Sequence, residues 1–171
     1  MSLTPKQQLL SALDYASVLE AAAAAAITAE VPEGVQVSCA WQRGATRNDR
    51  IQTPSIEVLL LRNASDSKGG MATATATGLA LDRGGRATYK ERLCSMQIVV
   101  NTVRGEPITS RQLQALVSLA LDPLSNPYKT AGAAGLRVEY LAHGEVNEAV
   151  VDPAVDQAIL TFPLRVILPI P

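Results

Sequence analysis

The sequence predicts an α+β chain: a mostly antiparallel sheet, two main helices packed on one of its faces, and a long arm between strands. Three observations predict it. Apolar residues near the N-terminus recur at the helical period. Residues 89–103 and 155–170 alternate their apolar positions with period two, as strands do. Between these regular stretches, residues 63–87 carry glycine pairs and an alanine–threonine alternation with few large apolar side chains.

At 171 residues the natural expectation is one domain, long enough to bury a core without a metal or disulfide staple. Aromatic residues make up only 4% of the chain, so packing falls to Leu, Val, Ile and Ala. That scarcity also argues against a stacking surface for single-stranded nucleic acid.

The first helix is expected to start at Thr4 and Pro5, a capping residue followed by a first-turn proline. Leu9, Leu10, Leu13, Ser17, Ala24 and Ile27 mark its apolar stripe. The alanine run 21–26 favours helix because alanine loses no side-chain entropy. Pro32 and Gly34 stop it. Residues 35–41 and 55–61 read as strands, with Pro54 at the start of the second, where a missing donor costs least. Between them, 43–50 is a polar loop.

Residues 63–87 read as an extended arm or flap that becomes ordered against partners. Gly69-Gly70 and Gly84-Gly85 allow the chain to turn at either end. The 89–103 strand places Cys94, Met96, Ile98 and Val100 on one face. A second helix over 110–121 is capped by Thr109 or Ser110 and carries Leu113, Leu116, Val117 and Ala120 as its stripe. A flexible connector is expected over 125–135. A strand over 136–141 should pair with the last strand, in which Leu160, Phe162, Leu164, Val166, Leu168 and Ile170 face one way. Pro163 deletes a ladder donor from that strand and points to an edge position or a bulge. The expected order is helix, two strands, arm, strand, helix, two strands.

Net charge is −1, which gives no general attraction to nucleic acid or anionic lipid. The charge is unevenly spread. Residues 62–92 carry six basic and three acidic side chains; residues 137–165 carry two basic and five acidic. Either run suits an ordinary solvated surface, or the two attract between copies. Cys39 and Cys94 lie in apolar strand-like stretches and read as buried free thiols. The polar start of the chain resembles no secretory signal, and the apolar stretch 21–27 is too short to cross a bilayer. Synthesis in the cytoplasm and no membrane partner are the expectation.

Catalytic chemistry finds little to work with. The one histidine, His143, lacks an oriented nucleophile nearby in sequence. Glu145, Glu148, Asp152 and Asp156 have near-helical spacing, but Pro153 interrupts them. No Cys or His pair has metal-site spacing. The glycine pairs lack the lysine and context of a phosphate loop, and 132–135 leads into a strand rather than a helix. No enzyme, metal or cofactor is expected. Arg43, Arg47 and Arg50 share one loop, and Arg83 and Arg86 another, without a recognition helix to read base sequence. Together with Asp66, Lys68, Met71, Thr73, Thr75, Thr77 and Arg165 they are the candidate protein-interaction residues.

The layout resembles that of tail-terminator and tail-completion proteins of tailed bacteriophages. It is carried by the first helix with Leu9, Leu10 and Leu13, the strands 35–41 and 54–61, the strand 91–103, the helix 111–121 and the terminal strand 160–170. The resemblance implies a homo-oligomeric ring, commonly a hexamer, in the virion tail or neck. Such a ring caps the tail tube protein and meets the head-side connector or stopper. In sheathed tails it also meets the last sheath ring. Its loops and arms make the contacts, and residues 63–87 occupy the matching place. The alternatives are another head–tail connector or baseplate subunit, and a non-viral protein-binding domain.

Overall fold

A computed structural model of the chain describes residues 14–39, 54–62, 89–130, 136–142, 144–152 and 154–169. Helix α1 spans Tyr15–Glu30 and is followed by β1 (Gln36–Cys39), β2 (Ser55–Arg62) and β3 (Tyr89–Val103). Helix α2 (Ser110–Ala120), a 3₁₀ turn (Pro127–Thr130), β4 (Arg137–Tyr140), β5 (Glu145–Asp152) and β6 (Val155–Pro169) complete the order. The fold is α+β, with a mostly antiparallel sheet and two packed helices, as the periodicities predict.

The six strands run β1-β2-β3-β6, and then β4 and β5 share the far side of β6. Among the described strands only β1 and β2 are parallel. The spine is the β3–β6 ladder, paired from Tyr89 with Pro169 to Val103 with Val155. Its even-numbered positions form one face. Cys94, Met96, Ile98, Val100, Leu160, Leu164 and Val166 are all buried there, beside Ile56 and Val58 of β2. Burying each of the larger aliphatic side chains contributes about 1.5–3 kcal/mol, which makes this face the main source of stability.

Both helices cover that face. Helix α1 contributes Tyr15, Leu19, Ala23 and Ile27 to the core, and α2 contributes Leu113, Val117 and Ala120. The stripe on α1 is turned from the expected one: Ser17 and Ala24 are only half-buried, and Leu9, Leu10 and Leu13 lie outside the described residues. An alanine-rich helix has little contrast between its faces, so packing rather than pattern chooses the buried one. The helix ends where expected. Val31 is extended, its N–H bonds the Ile27 carbonyl, and Pro32 and Gly34 (φ +94°) follow.

The start of α2 is a capping box. The Thr109 hydroxyl accepts the Gln112 N–H, while the Gln112 side chain accepts the Thr109 N–H. Leu116 packs partly against the core, completing the expected stripe.

Three expectations need correction. The chain between β4 and β6 contains β5, where the acidic spacing of Glu145 and Glu148 had no strand assigned to it. Asp152 pairs with Val155, so β5 and β6 are antiparallel neighbours joined through a short connection. Next, β6 is not an edge strand; it lies between β3 on one side and β4 with β5 on the other. The bulge reading of Pro163 is the one that holds. Tyr140 pairs with Leu164 and Glu145 with Thr161, so five steps on one side oppose three on β6. The Pro163 carbonyl accepts the Leu141 N–H at this interruption, so the side of Pro163 that lacks a donor faces the irregular stretch. Finally, the start of the expected connector is ordered. The Asn126 side chain accepts the Tyr128 N–H and donates to the Val138 carbonyl, and Tyr128 is buried.

Candidate interaction surface

The odd-numbered face of the sheet carries a different set of side chains. Directly paired residues share a face, so each row can be followed across the strands. One row is Glu57, Val99, Ile159 and Asn147; the next is Leu59, Gln97, Thr161 and Glu145. These rows are partly apolar and half-buried except at β5, where Glu145 and Asn147 are exposed. Neither helix packs on this face.

A polar row crosses its end. Asn101 donates to the Ser55 hydroxyl at 3.5 Å and accepts from the Gln157 amide at 2.9 Å. Asn101 and Ser55 are both buried. A buried amide of this kind is tolerated because its partners sit directly across the ladder, and it ties three strands to one register.

Of the interaction candidates that the sequence suggests, Arg165 alone falls within the described residues. Its guanidinium lies 3.3 Å from Glu139, directly across the β4–β6 ladder. Arg137 holds the other oxygen of the same carboxylate at 2.7 Å. Two arginines therefore share one glutamate on the odd face, and the Arg137 side chain is 73% exposed. Arg43, Arg47, Arg50, Asp66, Lys68, Met71, Thr73, Thr75, Thr77, Arg83 and Arg86 lie outside the described residues, as do His143 and the whole of the expected arm 63–87.

The two ends of the sheet differ. At one end, among the described residues, β1 pairs with Ser55 to Val58 of β2. Beyond it, the buried Glu20 carboxylate of α1 accepts the Leu60 N–H at 2.8 Å. A helix side chain thus occupies a main-chain donor that an added strand would need. Glu20 stands in the stripe Ala16, Glu20, Ala23, Ile27, and a charged residue inside an apolar stripe was the signal available for it.

At the other end, β5 pairs with β6 alone among the described residues. Glu145, Val146, Asn147 and Glu148 are exposed, Val146 to 47%. The Gln114 amide of α2 approaches Glu148 at 3.5 Å. Leu141, in the stretch before β5, is 44% exposed.

The interruption between β4 and β5 is packed from beneath by aromatic rings. Tyr128 and Tyr140 have centroids 5.8 Å apart, and Phe162 meets Tyr140 edge-on at 6.5 Å. Gly144 lies against the Phe162 ring; a Cβ there would stand 2.5 Å from the ring carbon Cε1. Neither the Tyr128 nor the Tyr140 hydroxyl reaches a hydrogen-bond partner of good geometry, although each is close enough to influence the other's charge. Burial pushes Tyr140 up to about 12 and Tyr128 well above the ordinary phenol value.

Among the described residues no group of three or more His, Cys, Asp and Glu side chains is arranged to hold a metal ion. No described helix is long and apolar enough to cross a membrane. Comparison with protein families finds none that matches the chain, and comparison with curated proteins finds no match either.

Proposed function

We propose that the chain is a structural subunit of a tailed-bacteriophage tail terminator ring, which caps the tail tube and joins it to the head-side connector. One observation carries the assembly part of this reading: the sheet has unlike ends. Glu20 occupies the Leu60 donor on one side, while on the other β5 pairs with β6 alone among the described residues and exposes Glu145 to Glu148. Unlike ends suit a heterologous contact, repeated from copy to copy, which closes into a ring when the rotation allows. The order of helices and strands supports the viral part, since the layout is what resembles the tail terminators. In this reading the subunit works by contact and carries no catalytic group.

Native mass spectrometry and negative-stain imaging of the purified chain, alone and with tail tube protein, test it. The expected result is a closed oligomer, with six copies the leading stoichiometry, that binds tube ends. A strictly monomeric chain in the presence of tail tube overturns the reading.

A further inference from the structure

We infer that the outer edge of β5 pairs, antiparallel, with the outer edge of β1 in a second copy of this chain, with Val146 opposite Val37. The inference rests on the homo-oligomeric part of the reading above and not on its viral part.

The described sheet ends on β1 at one side and on β4 and β5 at the other. Part of each side is already taken. Beyond the described part of β1, the Glu20 carboxylate holds the Leu60 N–H. On the far side, Leu141 directs its N–H to the Pro163 carbonyl of β6. Main-chain groups alternate between the two edges of a strand, so Val138 directs its carbonyl outward. The Asn126 amide donates to that carbonyl at 3.4 Å. An added strand is thereby directed to β5 on one side and to β1 on the other, and a strand edge is a template for such an addition. Strand direction fits a join between these two. β1, β2 and β6 run one way, and β3 and β5 the other. A copy rotated about an axis along the strands brings its β1 antiparallel to β5 and keeps the helix-bearing faces on the same side, which is the geometry of a closing ring.

Main chain and side chains select the same register. Glu145 and Asn147 pair with Thr161 and Ile159, which share the alternation of Pro163, so they bond β6 and leave the main-chain groups of Val146 directed outward. Gln36 donates its N–H to the Pro54 carbonyl beside β2, which leaves those of Val37 directed outward. Val146 and Val37 can therefore exchange both bonds of an antiparallel pair. Both side chains lie on the helix-bearing face, in line with the buried Leu160 and Ile56, and the 47% exposed Val146 gains an apolar neighbour. On the other face the same register sets Ser38 opposite Glu145 and Gln36 opposite Asn147, uncharged polar groups that can donate to them. The described part of β1 carries no charge to oppose the β5 glutamates. Two β5 edges placed against each other would instead bring Glu145 and Glu148 close to their own copies, and like charges across a ladder are unfavourable.

The test uses the full-length chain. One variant carries Asn147→Cys and another Gln36→Cys, each with its own affinity tag, and the two are mixed under mild oxidation. Both positions are exposed, whereas the native Cys39 and Cys94 are buried. In the inferred register they form a non-hydrogen-bonded pair with Cα atoms about 4.5 Å apart, within reach of a disulfide. A disulfide joining the two differently tagged chains is expected, with none in either variant oxidised alone. In parallel, Val146→Pro removes an outward donor and is expected to weaken self-association by about tenfold. Circular dichroism checks that each substitution leaves the fold intact.

An oligomer indifferent to Val146→Pro, with no cross-link between tags, overturns this inference and leaves the ring reading standing. Cross-linking within the Asn147→Cys or the Gln36→Cys variant alone, which marks like edges meeting, also overturns it. Assembly through β5 and β1 that never engages a tail tube supports this inference and removes the viral reading. A chain that stays monomeric throughout overturns both.

Discussion

The Glu20 carboxylate in α1 accepts the backbone N–H of Leu60 in β2 at 2.8 Å, across forty positions of sequence. It joins helix to sheet two residues beyond Val58, the last β2 residue paired with the described part of β1. Both groups are buried, so the bond replaces what water would supply to an exposed strand. Glu20→Ala leaves the Leu60 donor without this acceptor and should lower stability by about 1–3 kcal/mol. Glu20→Gln keeps an acceptor oxygen and should recover most of the loss. Urea denaturation midpoints of the two variants decide it; equal midpoints for Glu20→Ala and the native chain would show the bond to be incidental.

Gly144 packs flat against Phe162, with no room for a Cβ at 2.5 Å from the ring. Gly144→Ala should therefore destabilise by about 1–3 kcal/mol through overpacking. Phe162→Leu in the same chain removes the obstructing ring carbon. The double variant should lose less than the two single losses summed, and a thermodynamic cycle measures the coupling. Strict additivity would show that the interruption between β4 and β5 relaxes without the ring.

The reciprocal bonds between Thr109 and Gln112 satisfy donors at the first turn of α2. Thr109→Ala should cost about 1 kcal/mol. Thr109→Ser, which keeps the acceptor, should cost less. Thermal melts followed at 222 nm distinguish them, and an alanine variant that melts with the native chain counts against the cap.

The tyrosine pair sets a pH dependence. Burial holds Tyr140 at about 12 and Tyr128 well above its ordinary value, whereas an unfolded tyrosine ionises near about 10. Above that point the unfolded chain sheds protons that the folded chain retains. Stability from the neutral phenols is thus complete below about pH 10 and declines as pH rises toward the folded values. Tyr140→Phe has no proton to lose there and should flatten the decline. At neutral pH it should be tolerated, since its hydroxyl has no good hydrogen bond to forfeit. Urea midpoints between about pH 8 and about pH 11 test the slope; an unchanged slope in Tyr140→Phe places the titration elsewhere.

The sequence by itself determined the long elements. Fifteen residues of alternating character from Tyr89 to Val103, and again from Val155 to Pro169, allow only one periodicity. The α2 stripe and its cap are equally local, because residues three and four apart meet on one turn. Arg165 was legible as a charged position but not as the partner of Glu139, which pairing across β4 and β6 creates. Tertiary structure alone decided that β5 exists beside β6, that β6 is interior, and that Glu20 turns inward. In β5, Glu145, Val146, Asn147 and Glu148 show weak alternation because they bury little, so the strand is defined by main-chain bonds to β6 rather than by its side chains. Periodicity reports which side chains share a face. Which edge is covered, and by what, depends on contacts between residues far apart in the chain, and no local pattern encodes them.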